Sequence, residues 1–381
     1  MNDRGFTGRP SSRRGVLRTI GGAAALAAGA RFGAFESVRA FQATPAPQKI
    51  GGSLNILVQA GYDEPPIVQP FEEMYGVKVN SKVFPSSDEM FSMLQASKPG
   101  DWDVTVPDTP WIAKLQAASM IDPLDPADFP MIQDQYDRWQ KFDQLFVDGK
   151  QYGIVSRWGL YGIVYNSQYV TADEAQTIGV MYDPKYKGKV VLFDWYLPNM
   201  GMVGRYVGLA QPYDATGADF DKIKQKTFDL RPQVGVIAAT NTDTIQAIAN
   251  ESGYLSFGGE WLQLLLKEQG HPIELAIPKE GGVSWTEALV QLKGSQNPAA
   301  AKAFMQYILS PQAQAKLAWA NAFHATVPNK LAAKYLTPEQ AAALRMDDPA
   351  KINAILANIA TRKLPADEQP WIDAWDEFKS M

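Results

Sequence analysis

The sequence predicts an α/β fold with two lobes, each a mostly parallel sheet flanked by helices, joined by strands that cross between the lobes. Short apolar runs alternate with helical patterns along residues 54–118, and a second series of the same kind spans residues 183–257. Such alternation is typical of parallel sheets covered on both faces. The length of 381 residues, with 46% hydrophobic residues, is enough for two cores of ordinary domain size.

The first series consists of three predicted strands, each followed by a predicted helix. Gly76 ends the first helix and Pro107 ends the third strand. Ligands of such sheets bind at the carboxyl ends of the strands, so the loops at residues 61–65 and 107–110 are candidate walls of a binding site. The predicted strands are residues 54–58, 77–80 and 103–106, and the predicted helices are residues 67–75, 88–96 and 111–118.

The chain is expected to pass to the second lobe and later to return. Two strands are predicted on either side of Arg157, Trp158 and Gly159, where the glycine permits a close approach of backbone. These strands are residues 152–155 and 160–165, the later strands are residues 190–193, 253–257 and 285–290, and two helices follow at residues 298–309 and 312–320. The predicted lobes are residues 51–158 with 288–331, and residues 159–287 with 332–381.

The first forty residues have the composition of an export signal. They hold seven arginines against two acids, and the twin arginine at residues 13–14 precedes an Ala/Gly-rich apolar stretch at residues 19–30. Residues 38–40 place small side chains where a signal peptidase cuts. The apolar stretch is shorter than the roughly 20 residues that cross a bilayer. We therefore predict a twin-arginine signal peptide at residues 1–40, a disordered leader at residues 41–50, and a periplasmic location.

The composition excludes several kinds of site. The chain has no cysteine and two histidines, which rules out disulfides, cysteine nucleophiles, thiolate zinc sites and iron–sulfur clusters. The first forty residues carry a net charge of +5 and the whole chain −5, so the rest carries −10, which argues against nucleic acid as a partner. Neither a Gly-x-Ser-x-Gly elbow nor a phosphate-binding loop occurs. We expect a monomer with no cofactor, no metal and no catalytic residues.

Three segments carry a resemblance to a known family. They are residues 102–108, 184–190 and 278–287, and the last is the most diagnostic. With these segments in this order, the chain resembles the periplasmic spermidine/putrescine-binding family of transporter substrate-binding proteins, a branch of the type II periplasmic-binding fold, over residues 52–335. The resemblance implies an ABC importer, with its membrane permease subunits as partners. It also implies a small-molecule amine ligand, held by carboxylates and aromatic rings.

The same resemblance implies which residues contact the ligand. Trp285 and Glu287 match the cleft tryptophan and the amine-binding acid of the family, and two residues apart on a strand they share a face. The family position of a second amine-binding acid falls near Pro198, which cannot bind an amine. We therefore expect an amine-bearing solute, either a polyamine, a polyamine-like compound, an amino-acid derivative or an opine-like compound. The candidate ligand-binding residues are Tyr62, Asp63, Asp108, Thr109, Trp158, Asp194, Trp195, Phe257, Trp285 and Glu287.

Alternatives stay open for the roles of three residues and for the function of the whole protein. Glu287 needs a cation if it is buried, and that cation comes either from the ligand or from an internal Lys or Arg. Asp108 and Thr109 are also suited to cap the helix predicted at residues 111–118. For the whole protein, the alternatives are a periplasmic hydrolase or oxidoreductase on a similar scaffold, or an iron-binding member of the same fold.

Overall fold

The computed structural model describes residues 49–381. The predicted signal peptide and the predicted leader up to residue 48 lie outside the described residues. The strands are β1 (Ser53–Val58), β2 (Lys78–Val83), β3 (Val104–Thr105), β4 (Phe146–Val147), β5 (Lys150–Gln151), β6 (Ile154–Asn166), β7 (Val190–Phe193), β8 (Val234–Ala238), β9 (Leu255–Gly258), β10 (Ile273–Ala276), β11 (Gly282–Gln291), β12 (Trp319–Ala320), β13 (Phe323–His324) and β14 (Ile359–Thr361).

The helices lie mainly between these strands, as the predicted alternation requires. They are α1 (Pro65–Tyr75), α2 (Ser87–Ala96), α3 (Trp111–Ala117), α4 (Asp137–Gln140), α5 (Tyr196–Tyr206), α6 (Gly217–Asp229), α7 (Asn241–Ala249), α8 (Glu260–Glu268), α9 (Pro298–Ile308), α10 (Pro311–Ala318), α11 (Pro338–Ala343), α12 (Pro349–Ala357) and α13 (Gln369–Ser380). In this part of the chain, no helix is both long and apolar enough to cross a membrane.

One large sheet connects the two lobes through a pair of long strands. Its order is β2-β1-β3-β11-β6-β9-β7-β8, with β10 also on β6 and β14 also on β11. The pairs β1·β2, β1·β3, β7·β8 and β7·β9 are parallel, whereas β6 and β11 run antiparallel to each other. The end of β11 pairs with β3 in one lobe, and the end of β6 pairs with β9 and β10 in the other. This arrangement confirms the predicted α/β fold with crossing strands.

The first crossing differs from the prediction of two separate strands around Gly159. The structure has one strand, β6, whose thirteen residues are all buried. Gly159 lies opposite Trp285 in the ladder with β11, and a Cβ built on Gly159 would lie 2.5 Å from Cζ2 of that indole. The glycine therefore accommodates a cross-strand ring and does not mark a turn. The exact boundaries of the two lobes stay a prediction.

Local signals at both ends of α1 agree with the helix predicted at residues 67–75. Pro65 begins α1 at the position where its missing N–H is harmless, and Gly76 ends the helix in the left-handed conformation with φ 67°. The buried ring of Phe71 on this helix meets that of Phe304 on α9 edge to face at 5.2 Å. Burial of one such ring contributes about 1.5–3 kcal/mol, so apolar packing helps to hold α1 against α9.

Candidate ligand-binding site

A cavity of about 450 Å³ lies where the two lobes meet at the crossing strands. Its wall comes from the crossing strands and from loops that follow β1, β2, β3, β7, β8 and β14, most of them at strand ends, as expected for parallel sheets. The lining residues are Gln59, Ala60, Val83, Phe84, Pro85, Ser86, Asp88, Glu89, Asp108, Arg157, Tyr161, Phe193, Asp194, Trp195, Ala239, Thr240, Asn241, Thr242, Trp261, Trp285, Glu287, Phe323 and Arg362.

The register of β6 and β11 builds one wall of this cavity. Glu287 is paired with Arg157, and Trp285 is paired with Gly159. Because every second residue of a strand points to the same face, Arg157 and Tyr161 on β6 lie on the same side as Trp285 and Glu287 on β11. These four residues all line the cavity.

Glu287 forms a buried ion pair with Arg157 and not with a solvent-exposed cation. Arg157 Nε donates to Oε2 of Glu287 at 2.9 Å, and Arg157 Nη2 donates to Oε1 at 3.1 Å. Tyr62 donates to Oε2 at 3.0 Å from behind the pair. Burial raises the pKa of Glu287, and the charge of Arg157 opposes that rise. Of the two sources of a cation expected for this acid, the structure provides the internal one.

A second acid in the wall is also matched by an arginine. Arg362 donates from Nη2 to Oδ1 of Asp108, and both side chains are buried. Ser87 donates to the other oxygen of Asp108 at 3.2 Å. The guanidinium carbon of Arg362 lies 4.5 Å from the ring centroid of Trp195, close enough for a cation–π contact. The two buried wall acids are therefore both neutralised within the protein.

The remaining wall acids are nearer to solvent. Asp194 accepts a hydrogen bond from Trp375 Nε1 at 2.7 Å and forms an ion pair of 3.1 Å with Lys379. Asp88 and Glu89, in the first turn of α2, are exposed, and no Lys, Arg or His of residues 49–381 forms an ion pair with either carboxylate. The charge of Lys114 and a hydrogen bond from Trp111 act on Asp88. Because neither Asp88 nor Glu89 has an ion-pair partner in that range, we call them the uncommitted acids of the wall.

Aromatic rings form the apolar part of the wall. Phe323 stacks on Trp261, with ring centroids 5.6 Å apart, and meets Trp285 edge to face at 5.5 Å. Phe193, the last residue of β7, meets Trp195 edge to face, with ring centroids 6.4 Å apart. Rings in such a wall contact a methylene chain and attract a cation through their faces.

Five of the predicted ligand-binding residues line this cavity, and five do not. The lining residues among them are Asp108, Asp194, Trp195, Trp285 and Glu287. Tyr62 lies behind the wall, buried and bonded to Glu287. Asp63 lies beside it, half-buried, and the hydroxyl of Thr109 donates to Gln144 at 2.5 Å.

Trp158 and Phe257 lie outside this cavity, and their contact with a ligand stays a prediction. Trp158 follows Arg157 on β6 and so points to the opposite face, where it is buried and packs against Trp139 at 5.2 Å. Phe257 on β9 is buried in the core beside the crossing strand. Asp108 and Thr109 do not cap α3 with their side chains, but their backbone carbonyls accept from Trp111 N at 3.0 Å and Ile112 N at 3.1 Å.

The sequence reasoning missed several wall residues. Arg157 and Tyr161 had a usable signal, because both lie two residues from Gly159 at the predicted crossing. Trp261 and Phe323 occupy the start of α8 and the short strand β13, and Arg362 follows β14, so only the tertiary fold brings these three to the cavity. In the part of the chain that the structure describes, no group of three or more His, Asp or Glu side chains is arranged to hold a metal ion.

The family model of bacterial extracellular solute-binding proteins matches residues 66–369. The chain belongs to this family. Its membership confirms the predicted solute-binding function. The spermidine/putrescine-binding periplasmic protein of Escherichia coli (strain K12) is 25% identical to this solute-binding protein over 282 residues, which cover 74% of this chain and 78% of the relative.

Solved structures confirm the two-lobed fold of this solute-binding protein. The spermidine/putrescine ABC transporter substrate-binding protein of Streptococcus pneumoniae superposes with a TM-score of 0.73 at 20% identity, covering 87% of this chain and 99% of the other. An ABC transporter substrate-binding protein from Bradyrhizobium japonicum gives a TM-score of 0.69 at 17% identity, with coverage of 87% and 99%. At these identities the likeness is one of fold.

Proposed function

We propose that this protein is the periplasmic substrate-binding component of an ABC importer and captures an amine-bearing solute in the cavity at the crossing strands. The observation that carries the proposal is a single cavity wall that combines aromatic rings with two uncommitted carboxylates, Asp88 and Glu89. An ammonium group is stabilised by both, through charge pairing and through the faces of the rings.

Closure of the lobes follows from the way the chain crosses between them. β6 and β11 link the two parts of the sheet, and the cavity lies at their meeting point. A ligand that contacts both lobes favours the closed arrangement by its extra contacts, which is a shift of a conformational population. We propose that the closed, monomeric form is the one that docks on the permease subunits.

The names of the relatives support the ligand class and the transporter. The Escherichia coli relative is a spermidine/putrescine-binding protein, and the two solved structures are substrate-binding proteins of ABC transporters. We propose binding without a catalytic step for this chain, in keeping with its solute-binding family.

Thermal unfolding of the purified protein with a panel of amines tests this proposal. A bound amine raises the unfolding temperature by mass action, and the double variant Asp88→Asn, Glu89→Gln is expected to weaken its binding about tenfold or more. Glu73→Gln, an exposed acid on α1 outside the wall, serves as the matched control and should bind like the wild type. A full panel of amines without any thermal shift would refute the amine-binding proposal.

We also propose that the twin-arginine route exports this protein. The twin arginine at residues 13–14 and the short apolar stretch at residues 19–30 support it. Arg13→Lys with Arg14→Lys is expected to keep the full-length chain inside the cell, as measured by cell fractionation, whereas Arg4→Lys with Arg9→Lys should leave export intact. Normal export of the first variant would contradict this route.

A further inference from the structure

We propose that Gly159 is a positioning residue that sets the bulk of the solute that the cavity accepts. Because Gly159 has no side chain, the indole of Trp285 lies against the backbone of β6 and leaves the space in front of it to the solute. The inference rests on the proposed function, since it concerns the same cavity, and it adds a residue that controls which amines fit.

The indole of Trp285 lies directly on Gly159. The two residues are cross-strand partners, and a Cβ built on Gly159 would lie 2.5 Å from Cζ2, 2.6 Å from Cε2 and 2.7 Å from Nε1 of the indole. Carbon atoms in favourable contact are about 3.5–4.0 Å apart. A side chain at position 159 must therefore push the ring away by about 1 Å.

The backbone of Gly159 does not itself require glycine. This residue belongs to β6 and is not among the glycines with positive φ. Gly162 on the same strand differs, because a Cβ built there would meet the backbone carbonyl of Ala276 on β10. At Gly159 the three nearest atoms all belong to the ring of Trp285, which lines the cavity. A larger residue at position 159 thus acts on a wall side chain and not on the ladder.

The neighbours of Gly159 on β6 prevent the ring from sliding along the strand. Arg157 and Tyr161 lie two residues before and after the glycine, on the same face. Two hydrogen bonds to Glu287 hold Arg157 in place. Tyr161 is buried and, like Arg157, lines the cavity. The indole therefore occupies the gap that the glycine leaves between two fixed side chains.

Phe323 closes another side of the indole. Its ring meets that of Trp285 edge to face, with centroids 5.5 Å apart, and stacks on Trp261 at 5.6 Å. The guanidinium carbon of Arg157 lies 4.8 Å from the same Phe323 ring. With Phe323 held in this way, an indole displaced from Gly159 moves into the cavity of about 450 Å³.

A displaced indole would select solutes by bulk and not by charge. Alanine at position 159 adds no charge and removes no side-chain hydrogen bond, so the acids of the wall keep their places. One methylene group more than an apolar pocket accepts changes discrimination by about 10- to 200-fold. A ring moved by about 1 Å is therefore expected to discriminate against wide solutes and to spare narrow ones.

Titration calorimetry of Gly159→Ala with putrescine and its N-methyl, N-propyl and N-benzyl derivatives tests the inference. These ligands keep two ammonium groups and differ in bulk. We expect the variant to bind putrescine within about threefold of the wild type, and the N-benzyl derivative at least about tenfold more weakly than the wild type does. An equal change for every ligand, or no change, overturns the inference while amine binding stands.

Trp285→Phe in the Gly159→Ala background is the rescue variant. Phenylalanine lacks Nε1 and the fused ring that meet position 159, so the N-benzyl derivative should bind within about threefold of Trp285→Phe alone. Gly153→Ala is the control, because its Cβ would meet Ile112 at 2.8 Å and Ala288 at 3.2 Å, neither of which lines the cavity. A bulk-dependent loss in the control, or no recovery in the double variant, would contradict the positioning role.

The crystal structure of unliganded Gly159→Ala tests the same inference without any amine. We expect the indole of Trp285 to lie about 1 Å further into the cavity, with β6 and β11 unmoved. An indole that stays in place while β6 shifts overturns the inference. A wild type that binds no amine would refute the proposed function alone, and this structure would still decide whether Gly159 positions the ring.

Discussion

Two buried ion pairs line the same cavity, yet the chain builds them differently. Arg157 and Glu287 are direct cross-strand partners on β6 and β11, joined by two hydrogen bonds. Arg362 and Asp108 are 254 residues apart and join the segment after β14 to the loop after β3. The first pair is fixed by strand register, whereas the second depends on the docking of two separate segments.

The rings that surround the two arginines also differ. The Arg157 guanidinium is enclosed by the rings of Tyr62 and Phe323, each with its centroid 4.8 Å away. The Arg362 guanidinium lies over the ring of Trp195, with the centroid 4.5 Å away. Each acid also accepts a hydrogen bond from a hydroxyl, Glu287 from Tyr62 and Asp108 from Ser87. Because Arg157 and Glu287 both stand on the crossing strands, we expect any movement of the lobes to leave this pair intact.

Arg157→Met should produce the largest effect on stability. It leaves Glu287 buried without a cation, and the loss of one partner of a buried ion pair costs about 3–5 kcal/mol. Arg362→Met should cost less, about 1–3 kcal/mol, because Arg362 gives Asp108 one hydrogen bond where Arg157 gives Glu287 two. The measurement is the free energy of unfolding from urea titration at neutral pH.

The control for this comparison is the double variant Arg157→Met, Glu287→Leu. It removes both charges together and replaces them with apolar side chains, so it should recover most of the stability that the single variant loses. Equal losses in Arg157→Met and Arg362→Met would show that strand register does not distinguish the two pairs.

A wall residue was predictable from the sequence where a local pattern, and not a contact distant in sequence, places it. The period of two along a strand was enough to place Trp285 and Glu287 on one face. The same rule puts Arg157 and Trp158 on opposite faces, but it does not say which face lines the cavity. A strand buried on both faces, as β6 is, has no alternation of polar and apolar residues to tell the faces apart. The sequence therefore located the crossing, but the candidate chosen there was Trp158, which packs against Trp139 away from the cavity.

Long-range docking set the limit for the rest of the site. Asp108 was predicted from its place after a strand, but its arginine follows β14, near the end of the chain. Phe323 stands on a two-residue strand, β13, which pairs with the equally short β12. No local pattern assigns either residue to a cavity between lobes, because helix and strand periodicities report a face and not its tertiary neighbour. The fold class was predictable from the alternation of elements, whereas these contacts were not.

Lys379→Met should change the free energy of unfolding least among these variants. It tests whether burial of an ion pair, and not the pairing alone, sets the size of the loss. The Lys379 and Asp194 side chains are each about one third exposed, at 33% and 34%. Asp194 also keeps the hydrogen bond from Trp375 when the lysine is removed. Solvent screens such a pair, so we expect a loss of at most about 1 kcal/mol, decreasing as salt is added. Lys222→Met, which removes a more exposed pair on α6, is the control and is measured by the same urea titration. If Lys379→Met cost as much as Arg362→Met, the third wall acid would depend on its cation as strongly as the buried ones do, and burial would not explain the ranking.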